Sequence, residues 1–446
     1  MHHERARRSF SEISAPVQNA VAPVARRFRD LAPVIRRAGL IPPWQQSKNV
    51  RVAADPANDT VDPPEVSVVM PCLNEADTLG SCLEKARKAL VVAGIRGELI
   101  VADNGSSDGS REIARSHGAR VVEVSTKGYG SALMGGIAAA AGRYVVMGDA
   151  DDSYDFGEVP KFVEKLRAGS QLVQGCRLPR GGGTVKPGAM PFLHRWVGNP
   201  GLTFLVRTWF RAPVNDVYCG MRGFTRHLYD RLDQRCTGME FATEMIIKSS
   251  LMGERIAEVP ITLYPDGRKS HPPHLKTFRD GWRTLRFFMM CTPRWLYFLP
   301  GLFGVLLGLG GYALAMPATK IEGVTFDAHT LLFSSLAILC GYQAILFGVF
   351  AKTFAMAEHL LPEDPVMMRL FKIINLERGL MLSTVALLFG LGLLACAVLQ
   401  WRAVGYGHLD YGHTMRYVIP GSTLTALGFQ TFLSSFFISI LGMARR

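Results

Sequence analysis

The sequence lacks the patterns that mark several common classes of protein. Its eight cysteines are scattered with no C-x-x-C pair, so neither a zinc site nor a disulfide framework is indicated. The opening segment, MHHERARRSF, lacks the apolar core of a signal peptide, and we expect the N-terminal part to stay in the cytoplasm. Acidic residues are the minority: 37 aspartates and glutamates against 50 lysines and arginines give 446 residues a net charge of +13.

The positive charge is not arranged as in proteins that bind nucleic acid. The arginines and lysines do not gather with aromatic residues into a recognisable motif, so we expect no nucleic-acid partner. Basic residues beside membrane helices have a simpler cause, because anionic lipid headgroups attract them and the positive-inside rule selects them. The charge therefore favours a lipid bilayer as the partner.

Charged and apolar residues divide the chain into unequal parts. Charge crowds the stretch up to about Arg294, and four apolar runs of spanning length follow at about 295–316, 328–350, 379–401 and 417–442. We predict four regions: a basic tail and linker over 1–64, an α/β domain over 65–270, an interfacial helix over 271–294, and four transmembrane helices over 295–446.

The distribution of cations also predicts the topology. If the α/β domain is inside, an even number of spans returns the C-terminus to the same side. Most cations of the connecting segments then lie in the cytoplasm, namely Lys352, Arg369, Lys372, Arg378, Arg445 and Arg446. The loops on the other side of the membrane contain only Lys320, Arg402 and Arg416. We predict a multi-pass protein of the cell inner membrane, with its α/β domain and both termini in the cytoplasm.

Short apolar runs alternate with helical stretches after Val66. Strands at VSVVM, ELIVA, RVVEV and RYVVM are separated by helices from about Ala76 to Val92, from about Asp108, and from Tyr129. Four strands separated by three helices predict a mostly parallel, Rossmann-like sheet with right-handed crossovers. Ligands bind such sheets at the carboxyl ends of the strands.

The segment before the first apolar run has the pattern of an amphipathic helix. Its apolar residues fall on one face and its cations elsewhere, with Leu275, Phe278, Trp282, Leu285 and Phe288 or Met289 on the apolar side. This pattern predicts an interfacial helix, whose apolar side enters the bilayer and whose cations meet headgroups. A buried helix of the α/β domain is the alternative.

The sharpest local signal is an acidic group directly after the strand RYVVM. Asp149 and Asp151 lie one residue apart at the ligand-binding edge of the predicted sheet, and Asp152 and Ser153 follow. Two such carboxylates can share a hard divalent cation that also grips a diphosphate, and without a cation they repel each other. We predict a site for Mg²⁺ or Mn²⁺ here, the alternative being an acidic turn that caps the next helix.

Two further loops reach the same edge. Pro71-Cys72-Leu73-Asn74-Glu75 follows the first strand, and Asp103-Asn104-Gly105 follows the second. Carboxylates there can accept hydrogen bonds from a base or a ribose, although each loop alone is equally explained as a turn and helix cap. Lys127-Gly128-Tyr129-Gly130, at the start of the third helix, resembles an anion-cradling turn.

Together these motifs resemble glycosyltransferase family 2, and specifically its polyprenyl-phosphate branch of dolichyl-phosphate mannose and glucose synthases. The resemblance runs in order through VSVVMPCLNEADTL, LIVADNGSSDGS, KGYGSALMGGI, YVVMGDADDS, LVQGCR, HRWVGN, VNDVYCGMRGF, MEFATEM and EVPITLYPDGRKS. It covers nearly half of the chain. It implies a GT-A type domain with a mostly parallel sheet, followed by the interfacial helix and the four transmembrane helices.

The resemblance also implies roles for individual residues. Glu75 and Asp103 would hold the base and ribose, Asp149 and Asp151 the cation and diphosphate, and Arg268 would clamp the leaving diphosphate. The implied nucleotide-sugar site comprises Pro71, Asn74, Glu75, Asp103, Lys127, Gly128, Asp149, Ala150, Asp151 and Arg268. The implied contacts to the lipid phosphate are Arg177, Arg195, Asn199 and Arg222, and the implied catalytic residues are Asp151, Arg177 and Arg195.

Two positions depart from the family pattern, and two acids lie beside the implied site. Ser153 stands where some relatives offer a glutamine to the metal, and Asn104 replaces the second acid of a common Asp-Asp pair. Asp216 and Glu240 are additional polar candidates, for which buried structural hydrogen bonding is the alternative.

The implied reaction transfers a hexose with inversion from a nucleotide-diphosphate sugar to polyprenyl phosphate at the cytoplasmic face. We expect UDP-glucose as the donor, with GDP-mannose as the alternative, and a homo-oligomer remains open. The rival interpretations are a processive polysaccharide synthase, which would need a Q-x-x-R-W-like motif that the chain lacks, and an inactive membrane scaffold.

Overall fold

A computed structural model describes residues 63–269, 277–357, 361, 363–373 and 375–442. The predictions for the tail up to residue 62, for Leu275, and for Arg445 and Arg446 lie outside the described residues.

A seven-stranded sheet forms the centre of the first half of the chain. The strand order is β3-β2-β1-β4-β7-β5-β8, and only β7 runs antiparallel to its neighbours β4 and β5. The strands are β1 (Val66–Cys72), β2 (Gly97–Asp103), β3 (Arg120–Glu123), β4 (Tyr144–Met147), β5 (Leu172–Cys176), β7 (Arg222–Thr225) and β8 (Ile256–Pro260), with β6 (Thr184–Val185) and β9 (Thr262–Leu263) paired separately. The predicted mostly parallel sheet is confirmed.

Helices cover both faces of this sheet, which explains why the side chains on both faces of its central strands are mostly buried. Along β1, Val68 and Met70 enter one apolar cluster, whereas Val69 points to the other. Alternation of side chains between the faces of a buried parallel sheet has this result. The helices are α1 (Leu79–Val92), α2 (Ser110–Ser116), α3 (Tyr129–Ala139), α4 (Val159–Arg167), α5 (Asn199–Phe210), α6 (Arg226–Leu232) and α7 (Glu240–Leu251).

Shorter helical turns complete this half. Two are 3₁₀ turns, at Phe156–Glu158 and Pro179–Gly181, and a π-helical turn at His194–Gly198 leads directly into α5. The first two helices begin later than the sequence predicts, because the loops after β1 and β2 exchange hydrogen bonds with each other before the helices start.

Helix α8 (Thr277–Cys291) lies where an interfacial helix is predicted, and its apolar residues divide between two environments. Phe288 is fully buried and packs edge to face on Phe210 of α5. Trp282, predicted on the same face as Phe288, is exposed. The helix therefore packs on the α/β domain with one side and exposes an aromatic residue on another.

The four predicted spans are confirmed as helices that are long and apolar enough to cross a membrane. The spans are Arg294–Ala315, which joins a π-helical turn (Arg294–Phe298) to α9 (Leu299–Ala315), then α10 (Ala328–Ala357), α12 (Leu376–Ala403) and α13 (Tyr411–Leu441). The short helix α11 (Pro365–Ile373) precedes α12, and a hairpin of β10 (Lys320–Ile321) and β11 (Val324–Thr325) follows α9.

Small residues bring the spans close together. A Cβ atom at Gly301 or Gly308 of α9 would press on the backbone or side chains of α10, and one at Gly341 of α10 would press on α9. Hydroxyl groups add contacts: Tyr312 of α9 reaches Ser335 of α10 at 2.7 Å. Small residues and interhelical hydroxyl contacts are typical of helix packing in lipid.

Candidate active site

Acidic side chains converge at the carboxyl ends of β1, β2 and β4. Strands β1 and β2 pair in parallel up to Cys72 and Asp103, and β4 lies on the other side of β1. The loops after these strands therefore meet at one edge of the sheet, where the sequence predicts the donor site. We refer to the cluster of Glu75, Asp149, Asp151 and Asp266 as the acidic edge.

Asp149 is fixed from two sides. The hydroxyl of Tyr129 donates to its Oδ1 at 2.8 Å, and its Oδ2 lies against the backbone of Gly220, where a Cβ atom would almost touch it. Burial, together with the charge of Asp151, raises the pKa of Asp149 to about 6 despite the hydrogen bond from Tyr129. The two carboxylates thus form the repelling pair that the sequence predicts, which a divalent cation would relieve.

Asp151 and Asp152 face different partners. Ser153 donates its hydroxyl to Oδ1 of Asp151 at 2.6 Å, so this hydroxyl orients the carboxylate. Asp152 adopts a positive φ of 58° and pairs with Lys85 at 2.7 Å. Of the three aspartates, Asp149 and Asp151 therefore belong to the acidic edge, whereas Asp152 is engaged by Lys85.

Arg268 folds back over the first loop. Its Nε and Nη2 donate to both carboxylate oxygens of Glu75, at 2.7 and 2.6 Å, and its Nη1 lies 2.8 Å from Asp266 and 3.4 Å from Asp151. Burial lowers the pKa of Arg268, but the neighbouring carboxylates have the larger combined effect, so the pKa of Arg268 is raised. The structure thus brings Arg268 together with Glu75 and Asp151, three residues that the sequence assigns to the donor site.

Asn74 and Asp103 organise the loops at this edge. Asn74, at a positive φ of 61°, accepts from the backbone of Ser107 at 2.9 Å, which ties the first loop to the second. Asp103 is buried and accepts from the backbone of Gly105 and Ser106 and from Nε of Arg111 at 2.7 Å. Burial raises the pKa of Asp103, but these hydrogen bonds outweigh it and leave the pKa below its ordinary value.

Asn104 holds the second loop to the start of α3. Its amide nitrogen donates to the carbonyl oxygens of Val124 and Thr126, both at 2.8 Å, and its amide oxygen accepts from the backbone of Gly128 at 2.8 Å. An aspartate could not donate these bonds, which explains the departure from the Asp-Asp pattern. Lys127 donates to the carbonyl oxygen of Asn104 at 2.6 Å.

The remaining donor-site positions contribute through backbone or space. Pro71 lies in β1, and the carbonyl oxygen of the buried Ala150 accepts from the hydroxyl of Thr78 at 2.6 Å. At Gly128 the φ is 132°, and a Cβ atom would collide with the carbonyl oxygen of Thr237. The close approach that this glycine permits is therefore to another part of the chain.

Arg177 and Arg222 differ from the sequence prediction in their exposure. Arg177 is 7 % exposed, and its Nε and Nη2 grip both oxygens of the fully buried Asp216, at 2.7 and 2.9 Å. Arg222 is 0 % exposed and donates to the carbonyl oxygens of Cys219 and Ala242. Neither guanidinium is exposed in this structure, and the contacts to the lipid phosphate that the resemblance implies for Arg177 and Arg222 stay a prediction.

Asp216 and Glu240 follow the structural alternative. Asp216 is the buried partner of Arg177, and Glu240 pairs with Nε of Arg283 on α8 at 2.9 Å. Glu240 therefore links the α/β domain to the helix that precedes the spans.

Arg195 and Asn199 lie on a different kind of surface. Arg195 is in the π-helical turn and stacks over the ring of Trp196 at 5.5 Å, and Asn199 follows at the start of α5, where its amide contacts the sulfur of Met190 at 3.4 Å. Five large apolar side chains of this segment are exposed, namely Phe192 at 76 %, Leu193, Trp196 at 61 %, Val197 and Phe204. We call residues 191–204 the apolar segment.

The apolar segment is continuous with the membrane-spanning region. Trp209 of α5 stacks on Trp295 at the start of the first span, with ring centroids 6.2 Å apart. Arg195 is the residue of the predicted acceptor set whose guanidinium lies outside the core.

Tyr129 is a functional candidate that sequence reasoning did not single out. The KGYG motif suggested glycines that approach an anion, whereas the tyrosine between them is the residue that reaches Asp149. The available signal was its place at the start of α3, which follows β3 at the same sheet edge.

Two family descriptions match the chain. Glycosyl transferase family 2 matches residues 67–233, and the glycosyltransferase family 2 C-terminal transmembrane region matches residues 349–442.

Several relatives match much of the chain. The low-salt glycan biosynthesis hexosyltransferase Agl6 of Haloferax volcanii is 36% identical over 85% of this chain and 89% of its own length. The dolichyl-phosphate hexose transferase of the same organism is 35% identical over 44% of this chain and 82% of its own length. An undecaprenyl-phosphate 4-deoxy-4-formamido-L-arabinose transferase of Klebsiella pneumoniae is 26% identical over 64% of this chain and 86% of its own length.

Solved structures match about half of the chain. Glucosyl-3-phosphoglycerate synthase of Mycobacterium tuberculosis, in complex with Mn²⁺, uridine-diphosphate and glucosyl-3-phosphoglycerate, is 26% identical over 51% of this chain and 78% of its own chain, with a TM-score of 0.40.

Proposed function

The chain belongs to glycosyltransferase family 2, in its polyprenyl-phosphate branch, and from this premise we propose that it transfers a hexose from a nucleotide-diphosphate sugar to the phosphate of a polyprenol. It is an integral membrane protein, with four apolar helices and the family's C-terminal transmembrane region. The observation that carries the proposal is the combination of an acidic edge with an exposed apolar segment beside the first span. The acidic edge suits a charged, soluble donor. The exposed apolar segment suits an acceptor that is embedded in lipid.

The donor binds at the acidic edge in this proposal. Glu75 and Asp103 hold the base and ribose through their oxygens, with Pro71, Asn74, Lys127, Gly128 and Ala150 shaping the loops around them. Glu75 is supported in this role by its place at the edge, although both of its oxygens are now engaged by Arg268. Arg268 would turn from Glu75 and Asp151 toward the diphosphate, whose oxygens match its planar fork.

The acidic edge fits a divalent cation by its chemistry. Asp149 and Asp151 supply hard oxygen ligands, and their mutual repulsion favours a positive charge between them. No group of three histidine, cysteine, aspartate or glutamate side chains suited to a metal occurs among the described residues, so water and diphosphate oxygens would complete the ligand set. When bound, Mg²⁺ or Mn²⁺ would neutralise charge that develops on the leaving diphosphate.

The acceptor approaches from the bilayer. Arg195 and Asn199 lie four residues apart, a spacing that places two side chains on one face of a helical segment. The exposed rings of Phe192 and Trp196 would enter the headgroup region and bring Arg195 to the depth of the lipid phosphate. Placement in the membrane thereby replaces diffusion of an insoluble acceptor.

The transfer reaction requires little acid-base catalysis by the protein. The acceptor phosphate is anionic at neutral pH, so its oxygen attacks the anomeric carbon without a strong general base while the nucleoside diphosphate leaves with inversion. The residues mainly have to bring two anions together: Asp149 and Asp151 through the cation, Arg268 on the leaving group, and Arg195 on the acceptor.

We further propose that the α/β domain lies at the cytoplasmic face of the inner membrane, as the distribution of cations predicts. The donor we expect is UDP-glucose. A screen of UDP-glucose, GDP-mannose and other common nucleotide sugars with undecaprenyl phosphate tests the proposal, with release of nucleoside diphosphate as the readout. We expect release that requires lipid acceptor and divalent cation. No acceptor-dependent release with any donor would contradict the proposed function.

A further inference from the structure

The hydroxyl of Tyr129 makes the one side-chain hydrogen bond seen at Asp149 within the described residues. It donates to Oδ1 at 2.8 Å. A tyrosine hydroxyl is protonated at neutral pH and is a dependable donor, so this contact holds the carboxylate in one rotation about its Cβ–Cγ bond.

The start of α3 is fixed in a way that aims this hydroxyl. The backbone of Gly128 donates to Asn104 and that of Ser131 donates to the carbonyl oxygen of Thr237 at 3.1 Å, so the residues on both sides of Tyr129 are held. A Cβ atom at Gly128 or Gly130 would collide with carbonyl oxygens of the segment 236–238. The two glycines therefore allow the backbone at Tyr129 to seat closely against this segment.

The opposite side of Asp149 is equally restricted. Its Oδ2 lies 2.5 Å from the place that a Cβ atom at Gly220 would occupy, and the backbone of Gly220 donates to the hydroxyl of Tyr154 at 2.9 Å. Two residues further along, the fully buried Arg222 donates to the carbonyl oxygens of Cys219 and Ala242. No ion pair joins Arg222 to a carboxylate in the described part of the chain, and its Nε has no hydrogen-bond partner there.

From this geometry we infer that Tyr129 is a positioning residue for the divalent cation: it orients Asp149, from the side opposite Gly220, so that the carboxylate faces the cation shared with Asp151. The inference rests on the proposed function, because it assumes that a cation binds at the acidic edge. Orientation of a ligand by an outer hydrogen bond is worth roughly 10- to 100-fold in metal affinity in other sites.

Binding of Mn²⁺ to the full-length protein in detergent tests this inference. The loss of free Mn²⁺ signal in electron paramagnetic resonance, measured with saturating UDP, gives the Kd of the cation. Tyr129→Phe keeps the ring and removes only the hydroxyl, and we expect it to raise this Kd by about 10-fold. The midpoint of thermal unfolding should stay close to that of the wild type.

Tyr229→Phe is the matched control. Tyr229 is a partly buried tyrosine of the same domain, stacked on Phe224 with ring centroids 5.6 Å apart, and within the described residues its hydroxyl makes no hydrogen bond to the acidic edge. We expect this variant to bind Mn²⁺ as the wild type does. An equal Kd for Tyr129→Phe and the wild type would overturn the role of Tyr129.

A second variant approaches Asp149 from its other side. Gly220→Ala should also weaken Mn²⁺ binding, because the added Cβ atom meets Oδ2 of Asp149. If Tyr129→Phe does not fold, this variant still tests the premise that the cation depends on the position of Asp149, and an unchanged Kd in it would overturn the inference. Failure of the wild type itself to bind Mn²⁺ with any nucleotide would instead contradict the proposed cation site.

Discussion

The acidic edge and the apolar segment meet their ligands in opposite ways. At the acidic edge, Glu75 and Asp149 are each held by a specific hydrogen bond, and little of Glu75 is exposed. In the apolar segment, large rings such as Phe192 face outward and one cation, Arg195, accompanies them. A soluble, charged donor can be bound by oriented groups in a closed site. A lipid acceptor needs a protein surface that enters the bilayer. This contrast between the two sites can be tested residue by residue.

The largest expected effect concerns an arginine that belongs to the core rather than to the apolar segment. Arg177→Met leaves Asp216 buried without its partner, and breaking a buried ion pair in this way costs about 3–5 kcal/mol of unfolding free energy. Arg195→Met, at the apolar segment, should change stability by less than about 0.5 kcal/mol. Chemical denaturation of both variants checks this difference. Equal stability of the two would show that Arg177 is not held as the structure indicates.

The next effect concerns the acidic edge. Asp151→Asn keeps the shape of the side chain but removes the charge, and we expect transfer to fall by roughly 10²- to 10³-fold. Asp152→Asn is the control, because Asp152 pairs with Lys85 away from Asp151. Steady-state rates under saturating donor compare the two. A similar loss of transfer rate in both variants would mean that these aspartates only maintain the structure of the turn.

Arg195→Ala should act on the acceptor alone. Loss of a charge-assisted contact to phosphate corresponds to about 10- to 100-fold in kcat/KM for polyprenyl phosphate, whereas the Kd of the donor should not change. Arg115→Ala serves as control, because Arg115 lies on α2 beside Glu112 and is exposed. An equal loss of donor binding in Arg195→Ala would remove the distinction between the two surfaces.

The smallest expected effect is a gain in stability. The pKa of Asp149 is raised to about 6, so the folded protein binds more protons than the unfolded chain between its ordinary pKa and 6, and stability falls as pH rises through that window. Without divalent cations, Asp149→Asn should therefore be more stable than the wild type near pH 7 by about 1–3 kcal/mol, and equal to it near pH 4. Denaturant midpoints with a chelator check this. A gain of the same size at both pH values would contradict the charge-based account.

Local pattern was sufficient to place Asp149 and Asp151 at the edge of the sheet. Asp149 and Asp151 follow a short apolar strand, and the parallel sheet brings the ends of its strands together, so their position followed from order along the chain. The role of Asn104 could not be read in this way. Its three hydrogen bonds go to backbone groups of Val124, Thr126 and Gly128, which only the fold brings to it.

The arginines show where sequence patterns were insufficient. Arg177 and Arg195 both occur in short polar motifs, but burial of Arg177 depends on Asp216, far along the chain, and on the packing of β5. Helix α8 shows the same limit. Its spacing places Trp282 and Phe288 on one apolar face, and the sequence does not tell which part of that face the α/β domain covers.

The central claim is that the acceptor is the phosphate of a polyprenol in the bilayer, and the product tests it most directly. The full-length protein in liposomes that contain undecaprenyl phosphate is incubated with UDP-glucose and Mn²⁺, and the extracted lipid is examined by mass spectrometry. We predict undecaprenyl phosphate carrying a single hexose on its phosphate, formed by the wild type and not by Asp151→Asn. A polymer of hexoses, or free sugar with the lipid unchanged, would contradict the account.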